Sequence, residues 1–135
     1  MVRFEVYGVP QPQGSSRAFV TKTGRAVVTS ANKNLRPWRD QVAWEAREAM
    51  DGSPPLTGAV CVEVVFWLAR PKSVKRLSPT VKPDVDKLLR GVLDALTGVA
   101  FVDDAQVVDV DVSKRYCNEH VKNPCAGITV MEARV

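Results

Sequence analysis

Ten consecutive residues from Ala59 to Leu68, AVCVEVVFWL, constrain the fold more than any other stretch of the chain. They are apolar at nearly every position and rich in valine and aromatics, so a strand made from them can give neither face wholly to water. Such a strand belongs in the middle of a sheet that is covered on at least one side. Two amphipathic patterns can supply the cover. From Leu35 to Met50, Trp38, Val42, Ala46 and Ala49 fall on one helical stripe edged by Leu35 and Met50, while Arg39, Asp40, Arg47 and Glu48 fall elsewhere. Trp38 and Trp44 both read as packing aromatics, and Asp51-Gly52-Ser53-Pro54-Pro55 stops the helix. The second helix runs from about Val85 to Leu96, with Leu88, Leu89, Val92, Leu93 and Leu96 on one face and Gly98 as its stop.

Weaker strands complete the pattern. Val2 to Val9 alternates apolar and polar residues, Gln106 to Ser113 alternates with one polar face, and Gly127 to Ala133 reads as a closing strand. Lys22-Thr23-Gly24-Arg25 looks like the tip of a hairpin between Ala18-Phe19-Val20 and Ala26-Val27-Val28. The order predicts a single α+β (mixed α/β) domain over residues 1–135, with a mixed sheet and two main helices. No apolar run approaches a membrane span and the amino terminus carries no secretory pattern, so a soluble, unprocessed cytoplasmic protein is expected. Cys61, Cys117 and Cys125 form no CxxC pair and have only His120 as an imidazole companion, which speaks against zinc and for reduced thiols, with Cys61 buried and His120 solvated.

Charge is unevenly distributed. The total is +4, but Asp84 to Asp111 holds seven acidic residues against Lys87 and Arg90, a balance of −5, and the remainder carries +9. The segment from Gln11 to Asn34 contains Arg17, Lys22, Arg25 and Lys33 and no acid, and the segment from Ala69 to Pro83 contains Arg70, Lys72, Lys75, Arg76 and Lys82 and no acid. A basic surface around one acidic concentration suits metal-dependent cleavage of a polyanion, because carboxylates repel phosphates unless a divalent ion intervenes. Arg17, Lys22, Arg25, Lys72, Lys75 and Arg76 are the candidate phosphate contacts, although solvated loops carry such residues too.

The acidic stretch, KPDVDKLLRGVLDALTGVAFVDDAQVV, sets Asp84 and Asp86 two residues apart at the start of the second helix and Asp103 and Asp104 in the turn that follows it. Asp84 stands where an N-cap belongs and Asp86 in the first turn, so a capping role competes with a catalytic one. A short loop after the helix brings the second pair back beside the first only if it doubles back. Asp109 and Asp111 read as surface residues of the following strand.

In combination these residues resemble the RusA-type Holliday junction resolvases, endodeoxyribonucleases that cut four-way DNA junctions. The family pattern is Asp-x-Asp followed by asparagine, a lysine one turn on, Leu-Asp-Ala-Leu, and Asp-Asp-x-Gln-Val. It stands here as Asp84-Val85-Asp86-Lys87, then Arg90, Leu93-Asp94-Ala95-Leu96 and Asp103-Asp104-Ala105-Gln106-Val107. Lys87 replaces the asparagine and Arg90 the lysine; every acidic position is filled. The resemblance implies a RusA-like fold, a homodimer, four-way junction DNA as substrate, and phosphodiester hydrolysis in DNA recombination and repair. On that reading Mg²⁺, or Mn²⁺ in its place, is held by Asp84, Asp86 and Asp104, with Asp103 the next candidate, and Arg90 or Lys87 is the cationic helper. A junction-binding protein without activity is the alternative from another class, and a phosphatase acting on small phosphates fits the basic stretches less well.

Overall fold

A computed structural model of the chain describes residues 1–14, 16–30 and 32–134, leaving the side chains of residues 16–19 and 27–30 outside the description. Strand β1 spans Val2–Tyr7, β2 Ser16–Val20, β3 Ala26–Ser30, β4 Val60–Leu68, β5 Val107–Tyr116 and β6 Cys125–Glu132; helix α1 spans Leu35–Met50 and α2 Val85–Leu96. The strand expected to be central is central. The four-stranded sheet has the order β1-β6-β4-β5, and β4 pairs antiparallel with β6 and parallel with β5. β2 and β3 form a separate antiparallel hairpin with Thr21–Arg25 at its tip. The result is an α+β single domain with a mixed sheet and two main helices.

The alternation along β4 explains how the core is built. Val60, Val62, Val64, Phe66 and Leu68 are buried and face the helices, whereas Cys61, Val65 and Trp67 on the other face are half-buried and Glu63 is exposed. Onto the covered face pack Leu35, Trp38, Val42, Ala46 and Met50 of α1 and Leu88, Val92, Ala95 and Leu96 of α2, joined by Phe101 and by Ala126, Ile128 and Val130 of β6. Cys61 is thus half-buried where burial was expected, because it belongs to the face without helices; Cys117 is also half-buried, Cys125 is buried, and all three thiols are free. Trp44 departs from its expected packing role and is 56% exposed, against 5% for Trp38. Six helical residues separate the two, a rotation of about 240°, which turns Trp44 away from the stripe.

Both helix ends follow their local chemistry. Asp51 closes α1 in the left-handed region at φ 47°, with its N–H on the Arg47 carbonyl, and Gly52 follows at φ 80°. At the end of α2 the Thr97 N–H and hydroxyl both donate to the Leu93 carbonyl, and Gly98 turns the chain at φ 84° with its N–H on the Phe101 carbonyl. Since β4 and β5 are parallel, the chain must travel back along the sheet between them, and α2 makes that return.

Candidate active site

Asp84 occupies the N-cap position of α2 with extended backbone angles (φ −70°, ψ 142°), yet its side chain accepts no capping hydrogen bond. Its carboxylate stands instead 3.5 Å from the Lys87 ammonium, with both side chains about half exposed. The capping role that competed for this residue is therefore not performed, and its oxygens are available. Asp86 and Arg90 are exposed on the next turns. Beside Asp84 opens a cleft of about 410 Å³ lined by Val9, Pro10, Gln11, Pro12, Lys82, Pro83 and Lys87.

The second acidic pair is built by a single 3₁₀ turn over Asp104–Gln106. The Asp103 carboxylate accepts from the Ala105 N–H at 2.9 Å, and the Gln106 side-chain oxygen accepts from the Asp103 N–H at 2.8 Å, a reciprocal capping box. Asp104 is exposed, and its carboxyl is held above the ordinary carboxylate range, first by a hydrogen bond with the Asp103 side chain, then by partial desolvation, then by the negative charges of Asp103 and Asp94.

These two pairs lie at opposite ends of α2. Pro83, next to Asp84, is bonded to Lys114 near the end of β5, whereas Gln106, in the same turn as Asp104 and two residues on, precedes the first residue of β5 and is bonded to Leu56 and Gly58 ahead of β4. The twelve residues of α2 span ~18 Å, and the loop after it does not double back. Among the described residues no three histidine, cysteine, aspartate or glutamate side chains of this one chain come close enough to hold a metal ion together. The donors are nevertheless the hard carboxylate oxygens that Mg²⁺ and Mn²⁺ take, two at each end. Of the candidate phosphate contacts, Lys22 and Arg25 are exposed at the hairpin tip, and Lys72, Lys75 and Arg76 are exposed in the loop before Asp84. The Arg17 side chain lies outside the described residues. Asp109, Asp111 and His120 are exposed, as expected.

The model of the endodeoxyribonuclease RusA family matches residues 10–130, nearly the whole chain and both acidic pairs. The chain belongs to the RusA family. It is also 35% identical, over 130 residues covering 87% of this chain and 89% of the relative, to the uncharacterized protein YqaN of Bacillus subtilis (strain 168). RusA membership makes the chain an endodeoxyribonuclease of the Holliday junction resolvase type. No helix among the described residues is long and apolar enough to cross a membrane.

Three residues that position this RusA site were not singled out from the sequence as such. Gln106 is the hub of the second pair: its side-chain oxygen accepts from the N–H groups of Val102 and Asp103, and its amide nitrogen donates to the carbonyls of Leu56 and Gly58 at 2.9 and 2.8 Å. Lys114 donates from Nζ to the carbonyls of Val81 and Pro83 at 2.7 and 2.8 Å, fastening the approach to Asp84 onto β5. Gln13 donates its backbone N–H to the Lys87 carbonyl and its side-chain amide to the Asp94 carboxylate, laying the segment after β1 along α2. Gly91 makes room there, since a Cβ would meet the Gln11 carbonyl oxygen and Leu35 Cδ1 at 3.4 Å. The Asp-Asp-x-Gln spacing was the one signal in the sequence that could have found Gln106; nothing local marks Lys114 or Gln13.

Proposed function

We propose that the chain is a divalent-metal-dependent endonuclease that resolves four-way DNA junctions as a homodimer, with each metal site shared between two copies. The observation that carries this reading is the opposite placement of the acidic pairs in a chain whose family cuts DNA. A two-fold axis perpendicular to α2 sets the start of one helix beside the end of its partner's. Asp84 and Asp86 of one copy then face Asp104 and Asp103 of the other, twice over, and two identical sites form ~18 Å apart. Two sites related by a two-fold suit a substrate with two equivalent strands to cut.

The residues divide the work as follows. Asp84, Asp86 and Asp104 hold the ion, with Asp103 beside them. A bound Mg²⁺ or Mn²⁺ supplies an activated water and neutralises charge on the scissile phosphate. Arg90, one turn beyond Asp86, stabilises negative charge developing on the phosphate, and being permanently protonated it gives up no proton. Lys87, already drawn toward Asp84, is the side chain able to donate one to the leaving oxygen. Lys114 and Gln106 keep the two halves in place from outside the site. A role in recombination and repair follows from the junction substrate.

The test is complementation. Asp84→Asn and Asp104→Asn chains, each inactive on a synthetic four-way junction in Mg²⁺, regain nicking when mixed, because one of the two sites in a mixed pair is intact. Linear duplex and EDTA reactions serve as controls. A mixture as dead as its components, in a preparation whose native chain cuts, defeats the shared site; a native chain that binds junctions and never cuts them makes the protein a junction binder.

A further inference from the structure

The loop between β4 and α2 carries two arginines that converge on one tyrosine. Tyr116, the last residue of β5, is 8% exposed. The guanidinium carbons of Arg70 and Arg76 stand 5.9 and 5.8 Å from its ring centroid. Arg76 donates from Nε to the Tyr116 hydroxyl at 2.9 Å, and Arg70 donates from Nε to the Val74 carbonyl at 3.1 Å. Each guanidinium thus spends its inner N–H on the protein, and among the described residues neither terminal NH₂ group has a hydrogen-bond partner. That pair of donors forms the fork that takes a phosphate in bidentate fashion. Among the described residues neither arginine has a carboxylate within ion-pair distance. Two like charges converging on one ring are stabilised by its π face and await an anion.

Three successive residues at the end of β5 organise this region. Lys114 holds the carbonyls of Val81 and Pro83, Arg115 lies 5.9 Å over the Trp67 ring on the opposite sheet face, and Tyr116 holds the two arginines. Lys114 and Tyr116 project to the same face, ~7 Å apart along the strand, so the arginines sit on the side of the sheet where Asp84 begins α2.

We infer that Arg70 and Arg76, oriented by Tyr116, form a binding site for backbone phosphodiesters of the DNA arm that enters beside Asp84. The site rests on the nuclease reading for its ligand and on the arginine geometry for its place. Tyr116 is its positioning residue.

The test measures affinity of the full chain for a synthetic four-way junction in EDTA, as a function of KCl concentration, so that cleavage plays no part. Arg70→Ala and Arg76→Ala each lower affinity about tenfold, and each lowers the slope of log K against log[salt] by about 0.9, one phosphate contact. Tyr116→Phe keeps the ring, weakens binding in the native background, and changes nothing in an Arg76→Ala background, since its only loss is the hold on that arginine. Arg47→Ala, on the exposed side of α1, leaves the slope unaltered. A native chain that binds while both arginine variants keep its slope overturns the site and leaves the nuclease reading standing. Effects of Tyr116→Phe that simply add to those of Arg76→Ala overturn the positioning role. A native chain with no affinity for the junction overturns both readings together.

Discussion

Replacing Gln106 by alanine isolates the device that presents Asp103 and Asp104. Four hydrogen bonds are lost, at 2.9 and 2.8 Å from the Val102 and Asp103 N–H groups and at 2.9 and 2.8 Å to the Leu56 and Gly58 carbonyls. Val102, Asp103 and Gly58 are exposed, so water replaces part of that set, while Leu56 is half-buried and packs against the core. With about 1 kcal/mol net for a typical bond and roughly half of the four restored by solvent, the loss is about 2 kcal/mol. For a domain of this size that lowers the melting temperature by about 6–8 °C. Urea unfolding without metal gives the energy, and amide exchange gives the place: the Val102 and Asp103 N–H groups should exchange faster while those of β4 fall only with global stability. Gln106→Glu keeps the acceptor and turns a carboxylate oxygen toward two carbonyls, so at neutral pH it should do no better than alanine. A Gln106→Ala protein melting within about 1 °C of the native chain, with unchanged exchange at Val102 and Asp103, would refute the claim that this amide builds the turn.

Asp86→Asn should fold and melt normally, keep its junction affinity in EDTA, and lose at least about a hundredfold in cleavage, the scale of a principal electrostatic contribution; native-like cutting by a folded variant would leave the residue only its place in the first turn of α2. Arg90→Lys should keep much of the activity and Arg90→Ala lose more, and equal rates in the two variants would move the helper role to Lys87. Asp104→Asn should stabilise the metal-free chain at neutral pH: the raised carboxyl loses its favourable protonated state as pH climbs through its folded pKa, so the gain in melting temperature grows above the ordinary carboxylate range and vanishes at about pH 3. Phe66→Ala, at the fully buried centre of β4, should cost about 3–5 kcal/mol in urea unfolding.

The sequence disclosed what local chemistry decides. The bounds of α1 and α2 follow from their stripes and from Asp51-Gly52 and Gly98, and the central position of β4 follows from having no face to spare. As a residue type Trp44 reads as a packing aromatic, but its helical angle points it away from Trp38 and into solvent. The separation of the acidic pairs depended on a fact with no local signature, the parallel pairing of β4 with β5, which obliges α2 to begin at one end of the sheet and finish at the other. The same holds for Lys114 with Pro83 and for Arg76 with Tyr116, contacts 31 and 40 residues apart in the chain. The aspartates themselves were legible as a motif; their distribution in space was not.

The rigid return of α2 has a consequence for where cuts fall. In the proposed pair the spacing of the two sites is the length of one helix, so α2 acts as a ruler laid between two strands. Inserting three or four residues in its exposed face would add about 5 Å and keep the buried stripe in phase, whereas inserting two would swing Asp84 and Asp86 through about 200° and point them into the core. On this reading α2 tolerates a change of length only in whole turns, and a chain with a longer α2 should nick its two strands correspondingly farther apart.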